Sequence, residues 1–161
     1  MIERICHFST DRAYRYTLFR DASMFDKRLV QFICLNPSTA DETHNDPTVT
    51  RCVDFVDRWG YGTFCMTNLF AFRATDPDVM KRAVDPVGPE NMKWLRAVCL
   101  EADLIIAAWG EDGIFNGQSH AFLKSVMDVD LKIYCLAHNR SGQPKHPLYI
   151  AGNATPKPFN F

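Results

Sequence analysis

The 161-residue chain contains no apolar run approaching the ~20 residues that span a bilayer. It opens Met-Ile-Glu-Arg-Ile-Cys-His, which lacks a basic-then-apolar leader pattern. The expectation is a cytoplasmic protein with no membrane partner. Its six cysteines, Cys6, Cys34, Cys52, Cys65, Cys99 and Cys135, include no C-x-x-C pair. That excludes the clustered spacings of zinc or iron–sulfur ligands, so the expected metal set is none. Most of these thiols sit in apolar segments and read as buried and reduced. Neither glycine-rich phosphate loop occurs, whether of the dinucleotide or the nucleoside-triphosphatase type, and neither does the G-x-S-x-G serine elbow. No cofactor is expected. Charge of one sign is missing too: Lys and Arg total 18 against 19 Asp and Glu, a net −1. A protein that coats nucleic acid by bulk charge is thereby excluded. The imbalance is local. No acid follows Asp130, where Lys132, Arg140, Lys145 and Lys157 remain, and Arg4, Arg12, Arg15 and Arg20 crowd the first twenty residues. If both ends shared a face, that face would be basic; otherwise these are scattered, solvated charges.

What is present is concentrated in residues 32–51, Phe-Ile-Cys-Leu-Asn-Pro-Ser-Thr-Ala-Asp-Glu-Thr-His-Asn-Asp-Pro-Thr-Val-Thr-Arg. An apolar strand runs into a dense polar loop, and the loop into a helix. In open α/β sheets the carboxyl ends of strands are where ligands bind. Asn36, Ser38, Thr39, Asp41, Asn45, Asp46 and Arg51 all fall in this loop or the first turn after it. The plainer alternative is a set of capping and turn residues.

The rest of the chain alternates. Residues 14–20 mix aromatic, β-branched and polar residues like an N-terminal edge strand, and 29–35 is a nearly continuous apolar run, as in a strand covered on both faces. Asp46-Pro47 starts a helix with Val49, Cys52, Val53, Val56 and Trp59 at helical spacing, closed by Gly60 and Gly62. Strands follow at 63–70, 104–108 and 132–137, with helices at 90–101 and 117–128. The tail, 151–161, reads as irregular. These elements imply one α/β domain over 1–161, with its motif-bearing core at about 29–150. The expected architecture is a three-layer sandwich around a four-stranded, mainly parallel sheet, plus the edge strand.

Four motifs fall at predicted strand ends: Leu35-Asn36-Pro37-Ser38, Thr67-Asn68-Leu69, Trp109-Gly110 and His146-Pro147-Leu148. In order, L-N-P-S-T-A-D, N-D-P-T, N-L-F-A-x-R-A-T-D-P, W-G and G-x-P-x-H-P-L resemble the domain-of-unknown-function 1643 family of bacteria and phages. That family's label names no activity. More distantly, the motif order resembles the uracil-DNA glycosylase superfamily. There the first strand ends in Gly-Gln-Asp-Pro-Tyr or Gly-Ile-Asn-Pro-Gly, which positions the attacking water. The second ends in an Asn that reads the flipped base, and the fourth is followed by His-Pro-Ser, whose His contacts the base carbonyl.

The resemblance implies a glycosylase-like fold and a nucleobase or nucleotide as partner, with DNA as one form of it. It implies that Asn36 orients water, aided by Asp41 or Asp46 as general base, and that His146 or His138 stabilises the leaving base. Asn68 would read the base edge, and Phe70, Phe72 or Trp109 would stack on it. Pro37, Ser38, Thr39 and Arg51 complete the expected substrate-binding set. Arg73 either binds a phosphate or ties the loops by pairing with Asp41 or Asp76. The chain departs from the uracil enzymes at Asn36, which cannot accept a proton, and at Ser38, where they carry an aromatic wall. The alternatives are a base- or nucleotide-binding protein without catalysis, and a protein-interaction module.

Overall fold

A computed structural model describes residues 5–161. Its seven strands form one mixed sheet: β1 (Cys6–Phe8), β2 (Arg15–Asp21), β3 (Leu29–Cys34), β4 (Thr63–Asn68), β5 (Leu104–Ala107), β6 (Ile133–Cys135) and β7 (Lys157–Pro158), in the spatial order 1-2-4-3-5-6-7. The inner pairs β4–β3, β3–β5 and β5–β6 are parallel. The outer pairs β1–β2, β2–β4 and β6–β7 are antiparallel. The helices are α1 (Pro47–Arg58), α2 (Pro77–Lys81), α3 (Asn91–Glu101) and α4 (Gln118–Ser125), with short 3₁₀ segments at Glu111–Gly117 and Pro147–Tyr149.

The expected four-stranded sheet with one edge strand is therefore corrected to seven strands. The residues read as an edge strand form β2, which is itself covered by β1. The tail read as irregular contributes β7, a two-residue strand that brings Phe159 N–H to the Ile133 carbonyl at 2.9 Å. Proline is tolerated there because β7 is an edge strand. Three-residue β1 and two-residue β7 are too short to show a hydrophobic period. Of the two basic segments, Arg4 lies outside the described residues, and β2 and β6 stand toward opposite edges of the sheet.

β3 is buried at all six positions, as its apolar run predicts for a central parallel strand. Val30, Phe32 and Cys34 pack toward Val49, Cys52, Phe55 and Val56 of α1. Ile33 packs on the opposite face with Leu95 and Cys99 of α3 and Phe122 and Leu123 of α4. The Asp46 carboxylate caps α1 by accepting from Val49 N–H at 2.8 Å, with Pro47 at the first helical position. From β3 the chain crosses through α1 to β4 on one side, then through α3 to β5 on the other. The carboxyl end of β3 is thus a topological switch point, where neighbouring connections diverge and leave a crevice.

Candidate functional site in the strand-end cleft

A cleft of about 460 Å³ opens at that switch point. Cys34, Leu35, Asn36 and Ser38 after β3, Trp109 and Gly110 after β5, and His146, Leu148 and Tyr149 after β6 form much of its wall. Asp46 and Thr48 contribute from the start of α1, and Arg15 and Met66 from β2 and β4.

The loop joining β3 to α1 is shaped by two arginines of β2. Arg15 donates from Nη1 to the Ala40 carbonyl at 2.9 Å. Arg20 donates from Nε to Asn45 Oδ1 at 2.7 Å and from Nη2 to the Asp41 and His44 carbonyls. Arg15 faces this way because of a β-bulge. Cys6 pairs with Leu18 and His7 with Thr17, but Phe8 pairs with Arg15, so Tyr16 is an extra residue in β2. One extra residue switches every side chain beyond it to the other face.

Asn36 donates from Nδ2 to the Ala74 carbonyl at 2.8 Å and to the Pro37 carbonyl at 3.2 Å. Two carbonyls facing one end of the amide fix which end is nitrogen. Oδ1 is left as an acceptor with no partner among the described residues. Asp46 lines the cleft and spends Oδ1 on its cap, while no hydrogen bond to Oδ2 occurs among the described residues. His146 accepts from Leu148 N–H at Nδ1, 3.3 Å away, which makes the neutral ring an Nε2–H donor. Burial lowers its pKa from the ordinary histidine value, against an opposing pull from the Asp46 carboxylate.

That shift has a sign in stability. Above the unfolded value near 6.5 both states are neutral and His146 contributes nothing pH-dependent. As pH falls from there toward the lower native value, the unfolded chain binds the proton first and the native state loses stability. His7, whose pKa burial also lowers, adds in the same direction. His146→Gln is expected to shrink the drop in urea midpoint between pH 7.5 and 5; an unchanged pH slope would show that the ring is solvated.

The remaining expected site residues are placed elsewhere. Asp41 turns into its own loop, where Oδ1 accepts from Thr43 N–H at 2.9 Å and His44 N–H at 2.8 Å. Those backbone bonds hold its carboxyl well below the usual range. It organises a turn, and Asp46 alone of the two acids reaches the cleft. Pro37 is buried behind the loop, with its carbonyl accepting from Ala74 N–H at 2.9 Å, and Thr39 is exposed outside the cleft. Arg51 donates to the Ile150 carbonyl. Arg73 pairs with neither Asp41 nor Asp76 among the described residues. It donates to the Arg12 carbonyl at 3.2 Å and lies over the Phe8 ring.

Phe70 is in the core against Phe115, and Phe72 lies edge-on to Tyr14. Trp109 touches the cleft but is 1% exposed, with its indole N–H on Gln143 Oε1 at 2.9 Å. His138 is exposed, stacked on Phe159, and its ring lies near the buried Cys135 thiol rather than in the cleft. Asn68 is outside the lining but pairs in register with Cys34, and strand alternation puts it on the same face as Met66. Its amide nitrogen and oxygen are both buried without partners. The sequence reading missed Arg15; an arginine inside an aromatic, β-branched strand is its only local signal.

An open mixed sheet flanked by helices, with a polar cleft at its strand-end switch point, defines the chain as an α/β protein. The chain belongs to the family described as Protein of unknown function (DUF1643), whose model matches residues 15–148. The match begins at Arg15 and ends at Leu148, both on the cleft wall. No curated protein and no solved structure matches the chain. No helix among the described residues is long and apolar enough to cross a membrane.

Proposed function

We propose that the cleft acts on a nucleobase or nucleotide, most concretely by hydrolysing an N-glycosidic bond. The observation that carries this reading is the meeting of an acceptor amide, a carboxylate and a neutral donor imidazole, those of Asn36, Asp46 and His146, in one cleft. Breaking a glycosidic bond builds positive charge on the sugar and negative charge on the leaving base. Asn36 Oδ1 orients the water that attacks the anomeric carbon, and Asp46 takes its proton. His146 Nε2–H faces the base, where it stabilises the charge left as the carbon–nitrogen bond breaks. The resemblance to the uracil-DNA glycosylase superfamily supplies the reaction class. Ser38 in place of an aromatic wall leaves room for a base larger than uracil. A base- or nucleotide-binding role without turnover is favoured by one observation: the Asn36 Nδ2 is committed to two carbonyls and its oxygen can only orient, never deprotonate, water.

The test incubates the protein with duplex and single-stranded DNA carrying uracil, mismatched or modified bases, and with free nucleosides and nucleotides, and measures released base by mass spectrometry. Release is expected, with Asn36→Ala slower by about 100-fold, the scale of a misplaced reactant. Unchanged ligand that raises the melting temperature selects the binding role. Neither release nor stabilisation by any of these compounds would overturn both.

A further inference from the structure

We infer that Arg15 forms an oxyanion subsite in the cleft, and that the cleft takes a small free ligand bearing one compact phosphoryl or carboxylate group rather than a nucleic-acid polymer. Arg15 is 1% exposed. An arginine stays charged in proteins, and a charge removed from water is costly unless an opposite charge or full hydrogen bonding compensates it. Among the described residues no carboxylate lies within ion-pair distance of Arg15. Its partners are the Ala40 carbonyl on Nη1 and the weakly accepting Met66 sulfur, 3.3 Å from Nη2. Its Nε–H is buried without any partner.

The guanidinium fork that Nε and Nη2 present is the edge that grips two oxygens of one phosphoryl or carboxylate group. Asn68, on the same sheet face though outside the cleft lining, is likewise buried with both amide ends unsatisfied. A loop carbonyl and a thioether do not need an arginine, and neither neutralises a buried cation.

The distribution of charge selects the size of the ligand. Arg15 is the one arginine or lysine among the lining residues, and it is buried. The other charges on the wall are acidic: Asp46, Glu111 and Asp112. Asp112 is neutralised by Lys81 at 2.8 Å, whereas Glu111 is exposed and bonded only to the Ser141 hydroxyl. A polynucleotide backbone needs cations along the mouth of a groove, where each phosphate passes. Here Arg15 and Asp46 are buried inside, and the charges nearer the mouth, Glu111 and Asp112, are acidic. A nucleoside monophosphate can place its single phosphate inside; a duplex cannot. The inference rests on the cleft alone and does not require the hydrolysis proposed above.

The experiment is a thermal-shift and calorimetric titration of the whole protein with inorganic phosphate, acetate, a nucleoside, its monophosphate, and a duplex oligonucleotide, all at equal ionic strength. Phosphate and the monophosphate are expected to raise the melting temperature in proportion to the logarithm of concentration, and the monophosphate to bind at least tenfold tighter than its nucleoside or the duplex. A stronger response to acetate than to phosphate would assign the subsite to carboxylates. Arg15→Met is expected to abolish these responses and Arg15→Lys to weaken them. Should Arg15→Met fail to fold, the assigned Arg15 Nε–H resonance of ¹⁵N-labelled wild-type protein reads the same contact and must shift on phosphate addition. An unmoved Nε–H, an unaltered response in Arg15→Met, or no response to either anion overturns the proposal. Anion binding without base release would leave the subsite standing and remove the hydrolytic reading.

Discussion

Trp109→Ala should lower stability by about 3–5 kcal/mol, the range for truncating a large aromatic in a packed core. For a domain of this size that is a fall in melting temperature of roughly 6–20 °C. The indole is held on every side. Its ring meets Phe122 edge-on at 6.2 Å and Phe159 at 5.7 Å, and its N–H donates to Gln143. Gly113 lies so close that an added Cβ would come within 2.0 Å of the indole Cδ1. Truncation leaves a void that these neighbours cannot fill and a half-buried Gln143 oxygen without its donor. Phe159 follows β7, so the loss also loosens the last strand of the sheet. A residue serving mainly as a stacking platform would behave differently: its removal would cost ligand affinity with little change in the denaturant midpoint. Trp109→Phe separates the two contributions. It keeps ring packing with most of the core and loses the hydrogen bond, for a cost of about 1–3 kcal/mol. Urea denaturation of the three proteins checks the order; equal midpoints for wild type and Trp109→Ala would contradict a core role.

The case of Trp109 illustrates which parts of the molecule are legible from sequence. The central strands were readable because β3 is covered on both faces and its apolar run is unbroken, and because Asp46-Pro47 is a strong helix start. Strand ends in such a sheet converge of necessity, so the Asn36 loop, Trp109 and His146 could be assigned to one end of the fold. Side-chain direction was not readable. Asn36, Asp46 and His146 enter the cleft, while Arg51, Arg73 and Asp41, drawn from the same polar stretches, turn away to satisfy backbone groups. A polar loop needs many of its own side chains to close its turns, and sequence does not separate those from the ones facing a ligand. Arg15 was hidden for a different reason. Its orientation depends on a single-residue bulge against β1, a strand of three residues with no period of its own. The α2 segment, five residues after the Asp76 cap, is likewise too short to declare itself.

In the proposed reaction Asp46 carries two roles that a pair of substitutions can divide. As the cap of α1 it satisfies Val49 N–H through Oδ1; as a cleft-lining carboxylate it would accept the proton of the attacking water. Asn caps about as well as Asp, and Ala does not. Asp46→Asn should therefore keep the cap and lose only the carboxylate's favourable pull on buried Arg15, a loss that both variants share. Asp46→Ala should lose about 1 kcal/mol more, the worth of the cap. On activity the order differs. Both variants lack the base, so both should slow base release by about 10²–10⁴-fold, the usual contribution of general-base catalysis. A third readout follows from charge. Asp46 is the carboxylate that most favours the charged form of Arg15, so removing it takes a competing anion away from that guanidinium. Asp46→Asn should consequently bind phosphate more tightly than wild type while turning over more slowly. Activity that tracks stability across the two variants would mean that Asp46 acts only as a cap. Activity lost equally in both, with Asp46→Ala the less stable, places the carboxylate at the reacting water. In that arrangement Arg15 holds the anionic end of the ligand and the carboxylate stays free to accept a proton.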